Sequence, residues 1–229
     1  MTGVIIQARM GSERLPGKVM LPIGGRPMLG HVVERVLAIP RIERIVIAAT
    51  QSPRDAHIQR WAWTQGIAVY RGRGIPHRDV LTRFYRCARQ FGIDPIVRIT
   101  SDCPLLDPGI AARVIEMFRS NPGVAYVSNV HPRTFPDGLD VEVFSAAALK
   151  KAYFASSTPE EREHVTPYIW QHPDEFKCMN LENDTDLSAV RWTVDTALDL
   201  EMVRGLMRQI PAGVYSMQAI PRRKRWAIV

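Results

Sequence analysis

Residues 4–18 set the strongest limit on what this chain can become. Val4, Ile5 and Ile6 are consecutive β-branched residues, and after Ala8 the run breaks into a loop holding two glycines, a proline and three cations. A short apolar run bounded by turn residues predicts a buried strand, and the loop leaving it has the makings of an anion cradle. Gly11 and Gly17 let backbone N–H groups approach an anion, Pro16 narrows the loop's freedom, and Arg9, Arg14 and Lys18 supply charge and donors for phosphate oxygens. A nucleoside triphosphate fits that description. A plain basic turn would not need three cations beside two glycines at a strand's carboxyl end.

Two commoner phosphate loops fail on spacing. Five residues separate Gly11 from Gly17 where a Walker A loop has four, and Val19 follows Lys18 where Ser or Thr would reach magnesium. The dinucleotide fingerprint needs G-x-G-x-x-G opening directly into a helix, which residues 11–17 do not supply.

The string Gln7-Ala8-Arg9-Met10-Gly11-Ser12-Glu13-Arg14-Leu15-Pro16-Gly17-Lys18 resembles the opening signature of the sugar cytidylyltransferases, the family of the CMP-ketodeoxyoctulosonate and acylneuraminate synthetases. Its nearest likeness is the branch named for spore-coat polysaccharide biosynthesis protein F. The resemblance implies an α/β, Rossmann-like nucleotidyltransferase fold of the glycosyltransferase-A type, a mixed but mainly parallel sheet flanked by helices with a small antiparallel arm. It implies transfer of CMP from CTP to an acidic sugar of the 2-keto-3-deoxy, nonulosonic type, with pyrophosphate released and magnesium as cofactor. On this loop it places Gln7, Ala8, Arg9, Met10, Gly11, Ser12, Arg14 and Lys18 against the nucleotide, with Arg9, Arg14 and Lys18 catalytic. Ser12-Glu13 departs from the Ser-Thr or Asn-Ser pairs of better-known members.

A length of 229 residues and 46% hydrophobic content suit one α/β domain over residues 1–229, with residues 130–172 as a sugar-side or dimerisation arm. The net charge of +7 is spread along the chain except for Arg222-Arg223-Lys224-Arg225, which lacks interleaved aromatics, so an anionic small substrate is expected rather than nucleic acid. Cys87, Cys103 and Cys178 are odd in number and far apart, which predicts no disulfide framework or zinc knuckle and suits a reducing cytoplasm. No leader or membrane-length apolar run is read, so a soluble cytoplasmic protein is expected.

Apolar spacing predicts helices over 28–37, from Ser52-Pro53 to Gln65, over 80–91 capped by Asp79, and over 109–120 behind the cap Asp107, with strands at 44–50, 68–70, 95–100 and 125–128. Residues 71–78 lose that period and collect Arg71, Arg73, His77 and Arg78 in a mobile basic loop. Arg78, Asp79 and Arg83 stand where the family places a nucleotide-contacting segment; a solvated loop is the alternative. Asp102 follows the strand at 95–100, and because Asp107 serves as the cap, Asp102 is free to be a metal ligand at the sheet's carboxyl end. The family's Asp-x-Pro-Leu metal motif agrees, with Ser101 beside the nucleotide. Cys103 is read as packing.

Residues 135–144 alternate with period two after a Phe-Pro-Asp-Gly turn, predicting an antiparallel edge unit whose Asp137, Asp140 and Glu142 face the sugar or solvent. The resemblance assigns Asp137 and Asp140 to the substrate. A capping box at Thr158 opens a helix carrying Arg162, Glu163, His164 and Tyr168. The resemblance sets Glu163 and His164 near the acidic sugar and a dimer partner, with Arg162 as a carboxylate clamp. Strands are predicted at 176–181 and 190–194; the second ends at Asp195, and Val194-Asp195-Thr196 with Asp199-Leu200-Glu201 resembles the family's C-terminal aspartate motif.

Asp102 and Asp195 each follow an apolar run and are expected to converge on one rim of the sheet. Two such carboxylates repel, and a shared magnesium relieves that while Thr196 caps the next helix. A homodimer is expected, with residues 135–168 at or near its interface. The rivals are nucleotide transfer to a phosphorylated acceptor, a catalytically silent nucleotide-binding partner, and a glycosyltransferase, which would release a nucleoside diphosphate and usually carries an Asp-x-Asp metal motif, expected to be absent from this chain.

Overall fold

A computed structural model describes residues 1–221, and the basic run at 222–225 lies outside the described residues. The strands in chain order are β1 (Gly3–Gln7), β2 (Pro22–Ile23), β3 (Arg26–Pro27), β4 (Arg44–Thr50), β5 (Ala68–Gly72), β6 (Ile96–Thr100), β7 (Tyr126–Ser128), β8 (Glu142–Phe144) and β9 (Cys178–Asn180). The helices are α1 (Met28–Leu37), α2 (Ala56–Thr64), α3 (Val80–Phe91), α4 (Pro108–Arg119), α5 (Ala146–Ala155), α6 (Pro159–His164), α7 (Pro167–Trp170) and α8 (Ala197–Met207).

Seven strands form one mixed sheet in the order β5-β4-β1-β6-β8-β7-β9, and β2 pairs with β3 in a small separate hairpin. The N-terminal apolar run takes an interior position because both of its faces are covered. Val4 and Ile6 join one core with Val32, Val36 and Val114, while Ile5 joins another with Leu81, Phe84 and Cys87. That is why β1 reads as continuously apolar rather than alternating. It runs parallel to β4 and to β6, with Gln7 level with Ala48 and Thr100. The three strands therefore release their following loops from one rim, where open α/β sheets bind ligands.

The structure departs from the sequence expectations in three places. The antiparallel unit at 135–144 was placed at an edge, but β8 lies inside the sheet, antiparallel to both β6 and β7. Its acidic residue misled the reading: Glu142 does not face solvent but is buried opposite Arg98. The strand expected at 190–194 does not form. Its backbone groups serve a turn and a loop instead, since Asp137 N donates to the Val190 carbonyl, Trp192 N to that of Asp137 and Val194 N to that of Asp102. The helix opened by Thr158 stops at His164 because Val165 takes a φ of 73°, and Pro167 then starts α7, which carries Tyr168. No helix among the described residues is long and apolar enough to cross a membrane.

Candidate active site

The loop after β1 is shaped before any ligand arrives. Gly17 adopts a φ of 72° and its N–H returns to the Met10 carbonyl at 2.9 Å, closing the loop so that Lys18 turns back toward the sheet. Asp55 anchors the near side: it accepts from Met10 N at 2.8 Å, and from Thr50 N at 2.9 Å and its hydroxyl at 2.6 Å. Sequence reasoning missed this anchor, which sits at the start of α2 with no motif around it.

Lys18 is the centre of the site. Its Nζ donates to Asp102 Oδ2 at 3.0 Å, Asp195 Oδ1 at 2.9 Å and the Val194 carbonyl at 2.8 Å, so all three of its hydrogens are used. The two aspartates thus converge as the sequence predicted, though Asp195 arrives on an irregular segment. Burial opposes the Lys18 charge, but Asp102 and Asp195 outweigh it and hold the ammonium above its usual pKa. The same pairing works in reverse on Asp102, whose burial favours the neutral acid but whose carboxyl Lys18 keeps below the usual Asp value. Thr196 caps α8 through Asp199 N, leaving Asp195 to the cluster.

Arg14, largely exposed, reaches Asp195 at 3.0 Å, and Arg191 contacts the same carboxylate oxygen. Arg191 also pairs with Asp137 at 3.3 Å and Asp199 at 3.2 Å. It is the main residue that sequence reasoning overlooked; its spacing from Asp195 was the available signal, hidden because the segment was read as a strand.

Arg14, Lys18, Asp102 and Asp195 line a cleft of about 600 Å³, with Arg191 behind its wall. Of the residues singled out from sequence, Gln7, Ala8, Arg9, Ser12, Arg14, Lys18, Arg78, Arg83, Ser101, Asp102, Asp140, Glu163, His164 and Asp195 line it. Arg9 spans the cleft, donating to the His77 carbonyl at 3.4 Å and lying 3.6 Å from Glu163. Arg83 is 2% exposed and its Nε has no hydrogen-bond partner. Burial, then the neighbouring Arg9, lowers its pKa to about 10, which leaves it charged at neutral pH. Arg78 pairs with Glu13 at 3.1 Å.

Other candidates lie off the cleft wall. Asp79 caps α3, accepting from Thr82 N at 3.0 Å and its hydroxyl at 2.6 Å. Asp137 is held by Arg133, Arg191 and the Thr193 hydroxyl, and burial with Asp140 raises its pKa. Arg162 donates to the Ser156 carbonyl at 3.0 Å and covers the Tyr153 ring. Met10 and Gly11 shape the loop rather than line the cleft. Arg71, assigned to the basic loop, is instead part of β5 and spends its donors on Thr50, Ser52 and Gln59. Cys103, by contrast, reaches the cleft wall but is buried, and burial with Asp102 pushes its thiol well up, as suits packing. An Asp-x-Asp string does exist, Asp184-Thr185-Asp186, but it sits on an exposed turn away from the cleft.

The donor set suits a hard cation. Magnesium takes one or two carboxylates and completes its shell with waters and substrate phosphates. Asp102 Oδ1 is approached by the Cys103 thiol at 3.7 Å and is not the oxygen that Lys18 holds, and Asp195 stands across Lys18 from it. No group of three or more His, Cys, Asp or Glu side chains able to hold a metal occurs among the described residues, so a triphosphate would have to complete such a shell.

A mainly parallel sheet with a glycine-bearing cationic loop, facing paired carboxylates at its rim, defines a nucleotidyltransferase. The chain belongs to the cytidylyltransferase family, whose model matches residues 3–210. A solved cytidylyltransferase from Leptospira borgpetersenii is 35% identical with a TM-score of 0.87, covering 92% of this chain and 88% of that one. Spore coat polysaccharide biosynthesis protein SpsF of Bacillus subtilis is 32% identical over 213 residues, 90% of this chain and 85% of that protein. A 3-deoxy-manno-octulosonate cytidylyltransferase of Trichlorobacter lovleyi is 33% identical over 120 residues, covering 52% of this chain and 46% of that protein.

Proposed function

We propose that this enzyme transfers CMP from CTP to an acidic 2-keto-3-deoxy sugar of the nonulosonic type, releasing pyrophosphate, in the synthesis of a surface polysaccharide. The observation that carries the reading is Lys18 held between Asp102 and Asp195 at the mouth of a phosphate-handling loop. A sugar hydroxyl oxygen bonds to the α-phosphorus as the bond to the bridging oxygen of the pyrophosphate breaks, and the hydroxyl proton passes to solvent. Negative charge grows on the departing pyrophosphate. Arg14 and Lys18 lie where they can exchange their carboxylate partners for phosphate oxygens, and charge prearranged in this way lowers the barrier. Arg83, with its unpartnered buried Nε beside Arg9, is suited to an acceptor on the nucleotide.

Asp102 and Asp195 would hold magnesium, which when bound supplies positive charge to the phosphate oxygens. The similarity to a 3-deoxy-manno-octulosonate cytidylyltransferase supports an acidic acceptor, as does the presence of Glu163 and His164 on the cleft wall beside Arg9. Arg9 is bound to Glu163 and would be released to a sugar carboxylate. The test is pyrophosphate release from each of the four nucleotides against a panel of eight- and nine-carbon acidic sugars. Release with CTP and one of these acids is expected, and activity confined to sugar phosphates would overturn the reading.

The enzyme is further proposed to work as a homodimer through residues 130–172. Phe154 in that segment is 69% exposed beside the stacked Tyr85 and Tyr153, an apolar surface that a partner would cover. Sedimentation showing a monomer at working concentration would refute this.

A further inference from the structure

A largely buried polar row crosses the sheet at the floor of the cleft, where Gln7 and Arg98 line it. Arg98 on β6 stands opposite Glu142 on β8, and Gln7 on β1 lies diagonally from Arg98 on the same face. Glu142 is 4% exposed and accepts from Arg98, from the Tyr126 hydroxyl at 2.7 Å and from the Thr166 hydroxyl at 2.5 Å. Burial opposes its charge, yet Arg98 keeps its carboxyl below the usual Glu value. Arg98 itself lines the cleft, but the pair is neutral as a unit, so the arginine does not stand there as a free cation. Its Nε–H goes to Gln7 Oε1 at 3.2 Å.

A guanidinium only donates, so this bond decides which end of the Gln7 carboxamide is oxygen. The amino group Nε2 is left as the other end, hydrogen bonded to no described residue, on a side chain that lines the cleft. Thr166 extends the row to the wall that carries Glu163 and His164, three and two positions before it in sequence.

We propose that Arg98 and Glu142 are positioning residues that lock the Gln7 carboxamide with its amino group toward the cleft, making Gln7 a donor that selects an acceptor atom on a bound substrate. This rests on the nucleotidyl-transfer reading. The acceptor is a carbonyl oxygen or ring nitrogen of the pyrimidine, or an oxygen of the sugar, and separate Michaelis constants distinguish the two. A Gln7 held this way turns its donor end to the cleft and its oxygen to Arg98, so a substrate offering a donor opposite the amino group is disfavoured by an unpaired group on each side.

The experiment compares Gln7→Met, the charge-free double variant Arg98→Gln/Glu142→Gln, and their combination, by pyrophosphate release with CTP and sugar varied in turn. Removing both charges avoids leaving one buried and unpaired; should the double variant fail to fold, Arg98→Lys keeps the ion pair while losing the Nε–H and takes its place. Gln7→Met should raise one KM about tenfold, the worth of one lost hydrogen bond, with kcat within about threefold and Tm unchanged. The double variant should raise the same KM by a similar factor, and the combination should add nothing, because residues that act through one another are not additive. A rise confined to CTP identifies the nucleotide as the acceptor, and one confined to the sugar identifies the acid. Factors that multiply, or a Gln7→Met enzyme with both constants unchanged, would overturn the proposal. A wild-type enzyme inactive with every nucleotide would instead refute the nucleotidyl-transfer reading itself.

Discussion

Asp102 and Asp195 accept hydrogen bonds from a single nitrogen, Lys18 Nζ, at 3.0 and 2.9 Å. The ammonium therefore occupies the space in which a metal held by the same two carboxylates would sit. Lys18→Met should lower turnover by about 10²-fold or more, the usual scale for one prearranged charge at a transition state. It should also tighten binding of manganese added without nucleotide, because two carboxylates lose their internal cation. Titration calorimetry with the metal alone reads the second effect. Unchanged metal affinity would show that Lys18 does not compete for the pair.

Asp102→Asn and Asp195→Asn should each keep the fold and lose at least about 10²-fold in activity, since in the proposed mechanism each carboxylate would hold the magnesium whose charge is worth several kcal/mol to the transition state. They should differ in stability. Asp195 is contacted by Lys18, Arg14 and Arg191, so neutralising it leaves cations crowded together, whereas Asp102 loses only Lys18 as a charged partner. Thermal melts at neutral pH should put Asp195→Asn below Asp102→Asn. If raising magnesium recovers part of the lost activity, the weakened step is metal binding.

The central strand, the phosphate loop and both aspartates were legible because each is local: a β-branched run, a glycine spacing, a carboxylate after an apolar stretch. Asp107 as the cap of α4, with Oδ1 accepting from Gly109 N at 2.7 Å, could be read the same way. Glu142 could not, because its role depends on which strand lies beside β8, and that is set by a crossover the sequence does not display. Arg191 was hidden for a related reason. Its partners Asp137 and Asp199 come from separate segments, and an irregular stretch carries no period to reveal where its side chains turn.

Acid should destabilise the protein through its buried pairs. Glu142 and Asp102 both have carboxyl groups held below their ordinary values of 4.5 and 3.8, so the unfolded chain takes up protons first as pH falls. Their stabilisation is complete above those unfolded values and is lost as pH drops through the lower folded ones. Urea melts from about pH 6 down to about pH 3 should show stability falling steeply in wild type. The Arg98→Gln/Glu142→Gln enzyme should show a shallower fall. Equal slopes would mean that other carboxylates dominate acid unfolding.

The turn at Gly138 brings the acidic segment against the irregular stretch that delivers Asp195, and it does so at a distance only glycine permits. Its φ is +114°, and a Cβ there would lie 2.8 Å from both Thr193 N and the Trp192 carbonyl carbon, backbone atoms with little freedom to move. The same approach carries the Asp137–Arg191 bridge and the bond from Trp192 N to the Asp137 carbonyl at 2.6 Å. Gly138→Ala must either strain its own backbone or push residues 191–195 outward, at about 2 kcal/mol or more, which for a chain of this size is roughly 5 °C in Tm. Pushing that stretch moves Asp195 away from Lys18, so activity should fall further than stability alone accounts for, even at temperatures where the variant is fully folded. Gly213→Ala is the control: its φ is +77°, but a Cβ would meet nothing within 4 Å, so it carries the conformational cost without the collision. Melting curves and pyrophosphate release for the two variants side by side decide the matter. Were Gly138→Ala as mild as Gly213→Ala in both measurements, the close approach at residue 138 would not be what sets Asp195 in place.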